Sequence, residues 1–191
     1  MPLGINKVAL FAAAADTGSA VLLNETTASN SATVEFTLPT AYKQVKFGFY
    51  NITPATDNVS FEFDVSIGGS YTGSKTTTFF IAYHNEAGND TSLSLQTGRM
   101  IANATGTQDL TVTQGNGADE SAAGELILYN PASTTYVKHF TSRNHSYDYN
   151  DYAMSSFPAG YVDTTSALDG IKFLMSSGNI SSGTIKMWGI K

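Results

Sequence analysis

Apolar side chains in this chain fall repeatedly on every second residue, a period that favours strands and leaves little room for helices. The cleanest run is Phe61, Phe63, Val65 and Ile67, alternating with Glu62, Asp64 and Ser66. It reads as a half-buried strand with one apolar face and one solvated, acid-rich face. Val34, Phe36 and Leu38 alternate with Glu35 and Thr37, and Val45, Phe47 and Phe49 with Lys46 and Gly48. Residues 76–84 are more uniformly hydrophobic and are expected to be buried on both faces or to face a partner. Residues 110–113, 125–129 and 135–141 are shorter candidates. Near the end, Ile171, Phe173 and Met175 precede a Ser/Gly/Asn-rich stretch, and Ile185 and Met187 follow it, alternating with Lys186 and Trp188. This pattern predicts a terminal β-hairpin.

Turn-forming residues punctuate these runs: Pro54 with Asp57, Gly68-Gly69, Gly88-Asn89-Asp90, Gly115-Asn116-Gly117 and Pro131. About nine or ten short strands separated in this way imply an all-β sandwich or barrel. Long returns such as residues 85–107 suit Greek-key crossings, so a jelly-roll-like antiparallel β-sandwich is the expected fold. The expected division is an N-terminal arm or extra strand over residues 1–31 and the sandwich over 32–191. Residues 24–31 read as a polar linker.

A chain of 191 residues suits one domain and buries roughly 70% of the surface its unfolded form exposes. With no cysteine, a disulfide-stapled scaffold is excluded. Only 14% of residues are charged while aromatics reach 12%, which gives a neutral, hydroxyl-rich surface. The net charge of −6 and the scattered basic residues argue against binding a phosphate backbone. No run approaches the ~20 apolar residues of a membrane span. Lys7 and the small-apolar run over 8–15 imitate a leader, but its alanines are weakly hydrophobic and retention is expected.

Several stretches resemble bacteriophage virion proteins of the tail-fibre and head-decoration type. They are Tyr50-Asn51-Ile52-Thr53-Pro54-Ala55-Thr56-Asp57, the strand 61–67 running into Gly68-Gly69-Ser70-Tyr71, residues 124–130, and the C-terminal Ser-Gly-Thr strand closing on Trp188-Gly189. The resemblance spans residues 32–191 and rests on scaffold features. It implies a jelly-roll virion component, located on the capsid surface or alternatively on the tail.

The histidines and carboxylates form no catalytic signature. His84, His139 and His145 lack a Gly-x-Ser-x-Gly elbow, and no His-Glu-x-x-His or cysteine set suggests zinc. Glu62 and Asp64 have a spacing compatible with paired carboxylates, but acids alternating along an outer strand are expected to be solvated. Loops 85–90 and 148–151 offer oxygen ligands for Ca²⁺, with an Asx-rich turn as the other reading. No cofactor, metal or catalytic residue is expected, and the protein is read as a non-enzyme. The contact candidates are Tyr147, Tyr149 and Tyr152, interleaved with Asp and Asn, followed by Phe157 and Tyr161. Such tyrosines present large amphipathic area at low entropy cost. They are expected either to meet a partner or a sugar, or to fold back and cap the sandwich.

The functional expectation is a capsid decoration or cement protein that stabilises the head by surface contact, with a tail-fibre or receptor/glycan-binding module as the alternative. The shortness of the chain favours the first, since a fibre needs a shaft. The expected partners are the major capsid protein and copies of the chain itself, as a homo-oligomer with a trimer as first choice. A glycan is a further candidate; nucleic acid and membrane are not.

Overall fold

The computed structural model describes residues 20–191. The apolar run over 8–15 and most of the arm expected for residues 1–31 lie outside the described residues. The first strands are β1 (Val21–Ser31), β2 (Val34–Thr37), β3 (Gln44–Pro54) and β4 (Phe61–Ser66). β5 (Lys75–Asn85), β6 (Thr91–Leu95), a 3₁₀ turn (Thr97–Arg99) and β7 (Gln108–Asp109) follow. The chain continues through β8 (Ala122–Tyr129), β9 (Lys138–Tyr147), β10 (Tyr152–Val162), β11 (Gly170–Met175) and β12 (Ile180–Ile190).

One sheet has eight strands in the order β1-β12-β3-β8-β9-β10-β5-β6, and the other has four in the order β2-β11-β4-β7. Every pairing between strands is antiparallel. The protein is an all-β sandwich, as the two-residue period implies, and its connectivity is compatible with a jelly roll.

Phenylalanines from both sheets fill the space between them. Phe47 and Phe49 of the large sheet meet Phe173 of the small one, each with ring centroids 5.2 Å apart. Phe63 meets Phe140 at 5.1 Å. Edge-on pairs of this kind are worth about 0.5–1.5 kcal/mol beyond the area they bury. A separate cluster of Phe79, Ile81, Val112 and Met154 lies under β5 and β10, with Met100, Tyr83 and Tyr152 packed against it.

Four local expectations are corrected. The two C-terminal runs are strands but not a hairpin: β11 pairs with β2 and β4, whereas β12 pairs with β1 and β3. The stretch between them crosses from one sheet to the other, so Phe173 and Ile185 both enter the shared core from opposite sheets. Alternation specifies an inward face and is silent about which strand lies alongside. Residues 24–31 are part of an edge strand rather than a linker; the Thr27 and Thr184 hydroxyls lie 3.3 Å apart and Lys186 reaches Glu25 at 3.0 Å. Residues 110–113, expected as a strand, bury Leu110 and Val112 but bend instead of joining a ladder, with Thr113 at φ 45°.

The fourth correction concerns β4, which is buried on both faces along its whole length. Asp64 is ion-paired with Lys75 at 2.5 Å, and Glu62 lies opposite Asp109 in the β4–β7 register. Buried acids persist where partners compensate their desolvation: Lys75 at the start of β5 holds Asp64, and the 97–109 connection brings Arg99 to the cleft beside Glu62. Separately, the Trp188-Gly189 pair has a steric basis, because a Cβ on Gly189 would lie 2.5 Å from the Tyr42 ring.

Candidate functional site

Three regions of the described surface have features that bear on function. The first lies on the outer face of the large sheet, where β10, β5 and β6 run side by side. Phe79 and Ile81 of β5 point inward and are buried, which sends Phe80 and Ala82 outward. The register then assembles a row. Phe157 of β10 lies opposite Phe80, and Phe80 lies opposite Leu95 of β6. One step along, Ser155 lies opposite Ala82 and Ala82 opposite Leu93. The Phe80 and Phe157 rings stack with centroids 4.8 Å apart and planes 14° apart. Leu93 is 74% exposed, Leu95 64% and Phe80 40%. Apolar side chains gathered on one outward face make this row a candidate contact surface.

Of the contact candidates read from the sequence, Phe157 alone is placed in this row; Phe80, Leu93 and Leu95 were missed. For the two leucines a local signal was present. Thr91-Ser92-Leu93-Ser94-Leu95 alternates as strictly as any strand here, but it fell inside the return expected for residues 85–107.

The second region is the end of the sheet where the β5–β6 and β9–β10 turns meet. The Tyr147 hydroxyl donates to Glu86 Oε1 and to Asp151 Oδ1, each at 3.1 Å, tying the two turns together. These hydrogen bonds to carboxylates, led by that to Glu86, raise the Tyr147 pKa above the ordinary phenol value. The Tyr152 hydroxyl donates to Asp90 Oδ2 at 2.9 Å, which likewise raises its pKa. The Tyr152 ring packs edge-on against Tyr83 at 5.5 Å.

Tyr147, Tyr149 and Tyr152 do not share one side. Tyr147 lies opposite Ala153, so the neighbouring Tyr152 points to the inner face and packs on the second core cluster. Tyr149 is in the turn and 39% exposed. It lines a cleft of about 240 Å³ with Tyr83, Asp90, Asp148, Asn150 and Tyr152. Tyr161 is far along β10 from this end, opposite His139 and Thr76, with its ring 6.1 Å from the imidazole. The five candidates therefore occupy three separate places.

The third region is a cleft of about 510 Å³ lined by Asn58, Ser60, Glu62, Arg99, Asp109 and neighbours. Arg99 Nη1 donates to Asp109 Oδ2 at 2.5 Å and to Ser60 Oγ at 2.8 Å. Burial pushes the Glu62 carboxyl up to about 7, and a hydrogen bond with Asp109 adds to the rise. Among the described residues, no cluster of three or more His, Asp or Glu side chains is arranged to hold a metal ion. No helix among them is long and apolar enough to cross a membrane.

Comparison with family models, with curated proteins and with solved structures finds no match to this chain.

Proposed function

We propose that the protein is a non-enzymatic structural component of a bacteriophage virion, a jelly-roll module that decorates the capsid and stabilises the head by surface contact. The observation that carries this reading is the outward row on the large sheet, in which exposed Phe80, Leu95 and Leu93 adjoin half-buried Phe157. Its features suit contact by area, with a stacked aromatic pair as anchor and aliphatic side chains beside it. Modest affinity at each site becomes firm attachment when many symmetric copies engage one particle. The phage assignment itself rests on the sequence resemblance. Its test is purification of DNA-filled heads: the protein is expected there at a fixed stoichiometry to the major capsid protein. Recovery from detached tails alone overturns the assignment.

The β9–β10 turn favours a second reading as a tail module that binds a host glycan. Tyr149 offers a ring face, and Asp90 and Asp148 line the same cleft as acceptors for sugar hydroxyls. That reading expects a host-adsorption defect on changing Tyr149, with particles assembling normally.

A further inference from the structure

The two sheets end in four edges: β1 and β6 on the large sheet, β2 and β7 on the small one. Three of them carry features that discourage pairing with another chain. β1 holds Glu25 and a register shift between Leu22 and Asn24, and β2 holds Glu35. β7 is two residues long and contains Asp109, which is bound to Arg99. β6 differs. Thr91-Ser92-Leu93-Ser94-Leu95 contains no charge and no proline, and its pairing with β5 runs without a bulge.

Hydrogen-bond phase shows which β6 backbone groups have no strand partner among the described residues. The Gln96 N–H donates to Phe79 O at 2.9 Å and the Asn85 N–H to Asp90 O at 3.0 Å. Bonded and non-bonded pairs alternate along an antiparallel ladder, so Ser94 opposite Ile81 and Ser92 opposite Tyr83 are the bonded pairs within β6. Thr91, Leu93 and Leu95 fall between them, with N–H and C=O directed away from β5 to the open edge.

We propose that β6 pairs antiparallel with β6 of a second copy about a two-fold axis at Leu93, joining two large sheets into one. This deepens the assembly reading above by naming the self-contact, though the pairing itself does not depend on a capsid. In this register Leu93 lies opposite Leu93 of the second copy, and Thr91 lies opposite Leu95 in both directions. Every outward N–H and C=O of the three residues gains a partner.

The occupant is a second copy because a two-fold contact sets a strand against itself, and of the four edges formed by the described residues only β6 carries no carboxylate, so no negative charge is brought into the self-contact. The leucines of both copies then lie on one face, merging two apolar rows into a single patch for a capsid to cover. A five-residue contact is small beside the ~1,200–2,000 Å² of a stable interface. The pair is therefore expected to be a reversible, concentration-dependent dimer rather than an obligate one.

The test uses the purified full chain, with no virion present, so its outcome is separate from that of the capsid assignment. Sedimentation over a concentration series should show a monomer–dimer equilibrium. Leu93→Pro should give monomer at every concentration while keeping the fold, since the N–H it removes points outward. Leu93→Cys, in a chain otherwise free of cysteine, should give covalent dimer with a short bis-maleimide, and Thr27→Cys on the opposite edge should not. A wild type that stays monomeric up to millimolar concentration overturns the proposal. So does a trimer, or a dimer that survives Leu93→Pro. If Leu93→Pro fails to fold, the cysteine pair decides, and absence of crosslinking at position 93 then overturns it.

Discussion

The Lys75 ammonium lies 2.5 Å from Asp64 Oδ1, and its side chain has no exposure to solvent while that of Asp64 has 6%. The same nitrogen donates to Gly106 O at 2.8 Å and Gly73 O at 3.2 Å. Three acceptors match the three N–H groups of an ammonium. The cluster fastens β4 to the start of β5 and to the bend at residue 106.

Lys75→Met leaves the Asp64 carboxylate buried without its cation, and the expected loss is about 3–5 kcal/mol. Adding Asp64→Leu should recover part of that loss, but not all, because the carbonyls of Gly73 and Gly106 remain unpaired. Urea denaturation of both single variants and the double variant measures the coupling. Purely additive losses would contradict it.

Glu62 gives a pH dependence of definite sign. Its carboxyl titrates near 7 in the folded protein against an ordinary value of 4.5, so between those values the native state binds more protons than the unfolded one. The contribution of Glu62 is greatest below pH 4.5 and is lost as pH rises to about 7, a change on the order of a few kcal/mol at most. Glu62→Gln removes that decline. Melting temperatures at pH 5 and pH 8 should therefore differ less in the variant, and an unchanged difference would place the titration elsewhere.

Tyr149 and Tyr152 separate contact from packing. Tyr149→Ala should leave stability within about 0.5 kcal/mol, as expected for an exposed turn residue. Tyr152→Ala removes a ring from the second core cluster, and the expected cost is roughly 1–3 kcal/mol. A large thermal shift in Tyr149→Ala would show that the turn is a structural cap, and the glycan reading would lose its support.

Deleting residues 183–191 removes most of β12, which lies between β1 and β3. Buried Ile185 and Met187 are each worth on the order of 1.5–3 kcal/mol, and two strands lose their shared partner. Against a total stability of roughly 5–15 kcal/mol, the truncated chain is expected to be insoluble. Melting behaviour equal to that of the full chain would contradict the placement of β12.

Alternation in the sequence was enough to identify the sandwich and the inward faces of β2, β3 and β11, because burial on one face imposes the period directly. It did not disclose that β11 and β12 belong to different sheets, since inward residues look the same whichever strand lies alongside. The acids of β4 misled for a related reason. A carboxylate at an outward position reads as solvated, and only the tertiary path of residues 97–109 brings Arg99 and Asp109 over Glu62. Of the contact residues, the tyrosines stood out by local density, although the β9–β10 register, with Tyr147 opposite Ala153, splits Tyr147 and Tyr152 between two faces. Phe80 and Leu95 come together through strand register, which no local window contains.

On the proposed decoration reading, the outer apolar row holds the protein on the particle. The most direct measurement is the copy number per purified head of the double variant Phe80→Ser/Leu95→Ser, by quantitative mass spectrometry against the wild type. Both side chains face outward, so the variant should fold and melt like the wild type while its occupancy falls at least tenfold after a salt or dilution wash. Wild-type occupancy on the heads, with the fold intact, would contradict the account.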